Sequence, residues 1–116
     1  MNTLKAPLFP TGEFLVTPGA LLASIACQAN LEGYLARHAR GDWGVLDAHD
    51  RCVNEEALRN GHRILSAYDL PAYTVASADT ASHTDNASGG GQTSIRIWII
   101  TDADRRSSTV LLPDEY

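Results

Sequence analysis

The segment IRIWII, residues 95–100, constrains this chain more than any other stretch. Ile95, Ile97 and Ile99 alternate with Arg96 and Trp98, so a period of two puts three β-branched side chains on one face and a cation and an indole on the other. Such a strand demands a neighbour for its backbone and a layer to cover its isoleucines. TDADRRSS, 101–108, turns the chain and TVLLP, 109–113, returns it, which predicts a hairpin with a charged tip. HRILSAYDL, 62–70, alternates as a further strand, with Ile64, Ser66 and Tyr68 on one side and Leu65 and Ala67 on the other.

The first half of the chain reads as helices. In GEFLVTPGALLASIACQA a short strand enters a helix: Thr17 is placed to cap it, Pro18 occupies the first helical position, and Leu21, Leu22, Ile25 and Ala26 recur at helical spacing. Asn30 interrupts it, and LEGYLARHAR forms a second helix with Leu31, Tyr34, Leu35 and His38 on one face and Gly41 as its stop. Gly41 and Gly44 flank Trp43, which is expected to pin a corner by packing into the core. Asp47 then caps AHDRCVNEEALRN, where early acids and the late Arg59 match the helix dipole, and Gly61 ends it. Residues 1–11 read as extended. The small, polar, glycine-rich stretch at 71–92 reads as a flexible loop or insertion within a single domain spanning 1–116. The fold class expected is α+β, with N-terminal helices packed on one face of a small antiparallel sheet of three to four strands.

At 116 residues the chain buries roughly two-thirds of its unfolded surface, so it needs neither metal nor disulfide to fold. Cys27 and Cys52 lack CxxC spacing and read as buried free thiols. No apolar run approaches the roughly 20 residues of a membrane span, and MNTLKAPLFPTGEF lacks a signal peptide's basic and apolar regions, so a cytoplasmic, non-membrane protein is expected. A net charge of −5 opposes broad nucleic-acid binding. Eight of the nine basic residues are arginine, which suits local recognition of carboxylate or phosphate.

No nucleophile elbow, phosphate loop or dinucleotide fingerprint is present; ASGGGQTS lacks the lysine and the strand-to-helix context of a phosphate loop. His49, Asp50 and Cys52 match no established zinc spacing, so no metal and no cofactor are expected. His38 beside Arg37 and Arg40 reads as an ordinary helix histidine rather than a general base, and His83 falls in the loop. The candidate binding set is Arg63, Arg96, Asp102, Asp104, Arg105 and Arg106, with Trp98 as an aromatic anchor if exposed. Its alternative is a solvated sheet face carrying local Asp–Arg pairs.

Taken together, TPGAL, LARHARGDWG, NEEALRNGHRILSAY and IWIITDADRRSSTVLLPDEY resemble a family of small, largely uncharacterised proteins carried on bacterial plasmids and integrative elements. The resemblance spans most of 8–70 and 95–116, and 71–92 looks like an addition to the pattern. It implies an accessory role on a mobile element and, by association, an anti-defence inhibitor acting on a restriction or CRISPR complex. No catalytic residue carries over. A second resemblance is to barnase-like ribonucleases, in the order of HRILSAYD, IRIWIITD and RRSSTVLLP. It implies a phosphate-binding role for Arg63, but Ala103 stands where that family carries a catalytic histidine, and His62 and His38 are the nearest substitutes. The reading expected is a non-enzymatic protein-binding factor; the alternatives are an RNA-cleaving nuclease or toxin and a homodimer joined through exposed edges of the hairpin strands.

Overall fold

The computed structural model describes residues 7–71 and 94–116. The expected insertion at 71–92, with His83, lies outside the described residues apart from Pro71, as do residues 1–6. The elements run β1 (Glu13–Val16), α1 (Pro18–Cys27), α2 (Leu31–Ala39), α3 (Ala48–Asn60), β2 (Ile64–Leu70), β3 (Ile95–Thr101), β4 (Ser107–Leu111) and a 3-10 turn (Pro113–Glu115). This is an α+β fold.

Local chemistry sets the helix boundaries. Thr17 Oγ1 accepts from the Ala20 N–H, Asn30 from Glu32 and Asp47 from Asp50, so each helix starts on a side-chain oxygen. Pro18 sits in the first turn of α1, where its missing N–H costs nothing. Gly61, in the left-handed region at φ 73°, ends α3.

The sheet order is β1-β4-β3-β2. The antiparallel arrangement expected holds for β2, β3 and β4, and β4 starts at Ser107, two residues earlier than TVLLP. The strand before α1 lies parallel to β4, pairing Phe14 with Ser108 and Val16 with Val110, which makes the sheet mixed. Register then fixes the faces. Ser66 pairs with Ile99, Tyr68 with Ile97, and Ile99 with Val110, so these residues share one face. Tyr68, Ile97, Ile99 and Val110 form the main core with Ala20, Ala23, Cys27 and Leu31 of α1 and α2. The opposite face carries Leu65, Ala67 and Asp69 of β2 across from Ile100, Trp98 and Arg96 of β3.

α1 presents small residues to the sheet: Ala20, Ala23, Ser24 and Cys27 are buried. The larger Leu21, Leu22 and Ile25 face outward. Small side chains let the helix axis approach the sheet closely, and the helical spacing of the large ones records the outer face. The two cysteines also divide. Cys27 is buried as expected, whereas Cys52 is exposed, because only Asn54 and Ala57 of α3 are fully buried and Cys52 falls on the solvent side of that helix.

α3 lies along the free edge of β2. The Asn54 amide donates to the Leu65 carbonyl (2.7 Å) and accepts from the Leu65 N–H (3.1 Å), a side chain standing in for a neighbouring strand. Further along, the Val45 N–H donates to the Ala67 carbonyl (2.8 Å) and the Ala67 N–H to the Trp43 carbonyl (3.2 Å). Trp43 is buried with Phe9, Ala57 and Ile64 in a second cluster, so the corner is pinned as expected. These contacts cap an edge that would otherwise recruit another strand. The hairpin strands β3 and β4 are both interior to the sheet, which removes the proposed dimer seam through their edges.

Candidate functional site

Two arrangements of polar residues present themselves, one sealed and one open. The sealed one centres on His38, which is 0% exposed between α2 and the sheet. Ser108 Oγ donates to the Thr11 carbonyl (2.7 Å), leaving its oxygen to accept from Thr101 Oγ1 at 2.6 Å. With its proton used, Thr101 accepts from His38 Nε2–H (2.8 Å), and the bare Nδ1 accepts from Ser66 Oγ (2.5 Å). The Ser108–Thr101 arm fixes a proton on Nε2, and with Ser66 donating to Nδ1 the imidazole is neutral. Burial pushes the His38 pKa from 6.5 down to about 3, with the charge of Arg105 acting the same way. A side chain so placed cannot reach a substrate, so His38 is removed as the base of a ribonuclease-like mechanism.

This burial makes stability depend on pH. Below pH 6.5 the unfolded chain takes up a proton that the folded chain refuses down to about pH 3, so stability is full above 6.5 and declines as pH falls. The unfolding free energy is expected to drop by about 2 kcal/mol between pH 7 and pH 5, approaching about 1.4 kcal/mol per unit. Asp42 and Asp69, held below the ordinary carboxyl range by hydrogen bonds from Arg37 and Arg96, act only at lower pH. Urea unfolding at pH 7, 6 and 5 checks this; a flat profile contradicts a buried neutral His38.

The open arrangement is a groove of about 520 Å³ between α3 and the sheet face that α1 and α2 leave uncovered. One wall is Val45, Leu46, Asp47, Asp50, Val53 and Asn54; the other is Arg63, Leu65, Ala67, Arg96 and Trp98. The wall from Val45 to Asp47 is held by Arg51, which donates to the carbonyls of Leu46 (3.1 Å) and Gly44 (3.2 Å). Trp98 is half-buried, its ring edge-on to Tyr116 with centroids 5.7 Å apart. The Arg63 guanidinium lies over the Tyr116 ring at 5.5 Å and donates to its hydroxyl. Arg96 is engaged in a two-point pair with Asp69, at 2.7 and 3.1 Å.

The groove gathers three of the residues named from sequence and separates the rest. Arg63 and Arg96 share its wall, yet six residue steps of β2 part them, about 20 Å at about 3.4 Å per step, so they do not form one anion clamp. The others stay at the hairpin tip. Asp102 accepts from Ser107 Oγ (3.0 Å) and Asp104 from the Arg106 N–H (3.0 Å), both within the turn. Arg105, at φ 61°, reaches away to the carbonyls of His62 (2.7 Å) and Ala57 (3.2 Å) and lies over the Phe9 ring, so it ties the tip to the end of α3. The Arg106 side chain is exposed and makes no hydrogen bond among the described residues.

Sequence reasoning missed the far wall. Asp47 and Asp50 have a sufficient role at the start of α3, and Val45, Leu46 and Val53 carry no binding signature of their own. The available signal was a cluster of apolar residues around a helix cap, where polar ones suffice. His49, Asp50 and Cys52 are all exposed on α3, and among the described residues no three potential ligands converge on a metal position. No helix among the described residues is long and apolar enough to cross a membrane. No known protein family, curated protein or solved structure matches this chain.

Proposed function

We propose that this chain is a non-enzymatic protein-binding factor that receives a segment of its partner in the groove between α3 and the open sheet face. The observation that carries the reading is the half-buried Trp98 set in an open groove whose rim holds both signs of charge. An indole flanked by apolar floor and polar rim is the composition of an interface anchor. Asp47 and Asp50 on one wall oppose a polyanion, and the net charge of −5 does so at long range. A protein segment with an apolar anchor, a basic residue for Asp47 and Asp50 and an acceptor for Arg63 satisfies every wall.

The narrower assignment is a cytoplasmic accessory factor of a bacterial mobile element that inhibits a host defence complex of the restriction or CRISPR type. It rests on the resemblance of TPGAL, LARHARGDWG and the C-terminal segment alone. The test is capture of partners by tagged protein from host lysate, with and without nuclease, beside the Trp98→Ala variant. The expected result is a stoichiometric protein partner that survives nuclease and whose affinity falls about 30-fold in Trp98→Ala, the loss of a central aromatic anchor. Recovery of RNA that disappears on nuclease treatment would favour the ribonuclease-like reading instead.

A further inference from the structure

The turn Pro113–Glu115 bridges the two faces of the sheet. On the side of α1, the Glu115 carboxylate accepts from Thr17 Oγ1 (2.5 Å), the Gly19 N–H (3.0 Å) and the Leu112 N–H (2.9 Å). The approach to α1 is close enough to need a glycine, since a Cβ at Gly19 would stand 2.6 Å from Glu115 Oε2. This anchor fixes the chain one residue before Tyr116, whose ring reaches the open face, edge-on to Trp98 and beneath the Arg63 guanidinium. Tyr116 is 66% exposed, so the anchor and these two contacts hold it in place rather than burial.

Arg63 and Trp98 both belong to the groove wall. Of the two arginines there, Arg96 is paired with Asp69, whereas Arg63 forms no salt bridge among the described residues and donates to the Tyr116 hydroxyl. A partner segment that uses Arg63 and Trp98 therefore meets Tyr116 already seated on them. We propose that Tyr116 is a resident occupant of the groove, and that the Arg63–Trp98 end is a subsite for a tyrosine side chain, which the partner supplies in exchange. This rests on the groove being the partner's site. The chemistry of the occupant specifies that of its replacement. A phenol offers a π face to the guanidinium, a ring to the indole and an oxygen to the arginine N–H groups. An aliphatic side chain satisfies only the indole, and a carboxylate only the guanidinium. Release of a mostly exposed ring opens no cavity in the core, so the exchange leaves the fold intact.

The test titrates N-acetyl-tyrosinamide, with N-acetyl-leucinamide beside it, into the full chain and its Tyr116→Ala and Gly19→Ala variants. Heteronuclear NMR follows the indole N–H signals of both tryptophans, with Trp43, buried and bonded to Glu55, as the internal reference. In Tyr116→Ala the tyrosine probe is expected to shift the Trp98 signal saturably, with a Kd on the order of 10 mM, and the leucine probe to leave it in place. The intact chain is expected to bind the probe at least about fivefold more weakly, because Tyr116 competes at a millimolar effective concentration. Gly19→Ala displaces the Glu115 carboxylate without touching the groove, and is expected to bind the probe at least about twofold more tightly than the intact chain. Equal binding by the intact chain and Tyr116→Ala, or no gain in Gly19→Ala, overturns the resident occupant. A Trp98 signal that does not move, that moves equally with the leucine probe, or that moves together with Trp43 overturns the subsite. The probe requires no partner, so failure here and failure to capture a partner in the groove are separate results.

Discussion

Replacing His38 with alanine is expected to lower the unfolding free energy by about 3–5 kcal/mol, enough to remove much of the stability of a domain this size. Two losses combine. The imidazole fills a closed space between the Phe9 ring, 5.2 Å away edge-on, and the Trp43 ring, 6.0 Å away, so truncation leaves a cavity beneath both aromatic residues. It also strands the fully buried Ser66 hydroxyl and leaves that of Thr101 with only its bond to Ser108. The two contributions separate by design. His38→Leu with Ser66→Ala and Thr101→Val removes the polar groups together and restores volume, so it is expected to recover at least half of the loss. Urea unfolding at pH 7 measures all three proteins. A loss below about 1 kcal/mol for His38→Ala would mean that the relay carries no weight.

Gly44→Ala is expected to be comparably damaging, at about 3 kcal/mol or more, for a reason confined to the backbone. Gly44 has φ 77° and bridges to Ala67, so an added Cβ would stand 1.8 Å from the Ala67 carbonyl oxygen and 2.8 Å from Tyr68 Cδ1. Neither obstacle is a free side-chain end, since Tyr68 is buried and its hydroxyl donates to the Asp42 carbonyl. The bridge must open, and with it the Val45–Ala67 and Ala67–Trp43 hydrogen bonds that shape one wall of the groove. Gly61→Ala is the control: its φ is 73°, but nothing lies within 4 Å of the new Cβ, so only the conformational cost of about 1 kcal/mol remains. Equal effects of the two substitutions in urea unfolding would refute the close-approach account.

What was legible in the sequence was mostly local. The caps Thr17 and Asp47 and the alternation of IRIWII act within a few residues, and each declares its element by type and spacing, whereas Asn30, legible only as an interruption, proves to cap α2. The parallel docking of β1 beside β4 was not legible, because residues 13–16 lie more than ninety positions from their partners and four residues carry no register signal. The orientation of α1 was hidden for a different reason. Its apolar residues go all the way round, so periodicity could not choose between a face of alanines and a face of leucines until the sheet was present.

The candidate site shows the same division. Arg63, Arg96 and Trp98 share a groove wall because strand alternation places them on one sheet face, which the sequence displayed. The departure of Arg105 toward the end of α3 depends on the left-handed turn at the hairpin tip and on where α3 stops, neither of which a charge pattern contains. Asn54 is the clearest omission. An asparagine in the middle of a helix reads as neutral, and only the position of β2 turns it into the group that closes the sheet edge beside the groove.

The measurement that bears most directly on the groove is site-specific photocrosslinking in host cells, with a photoreactive residue at Val53 on the groove wall and, separately, at Arg59 near the other end of α3. A single protein adduct from position 53, absent from position 59 and lost when Trp98→Ala is added, is the result predicted. Adducts of equal yield from both positions, or adducts to RNA alone, would contradict the groove as a protein-binding surface.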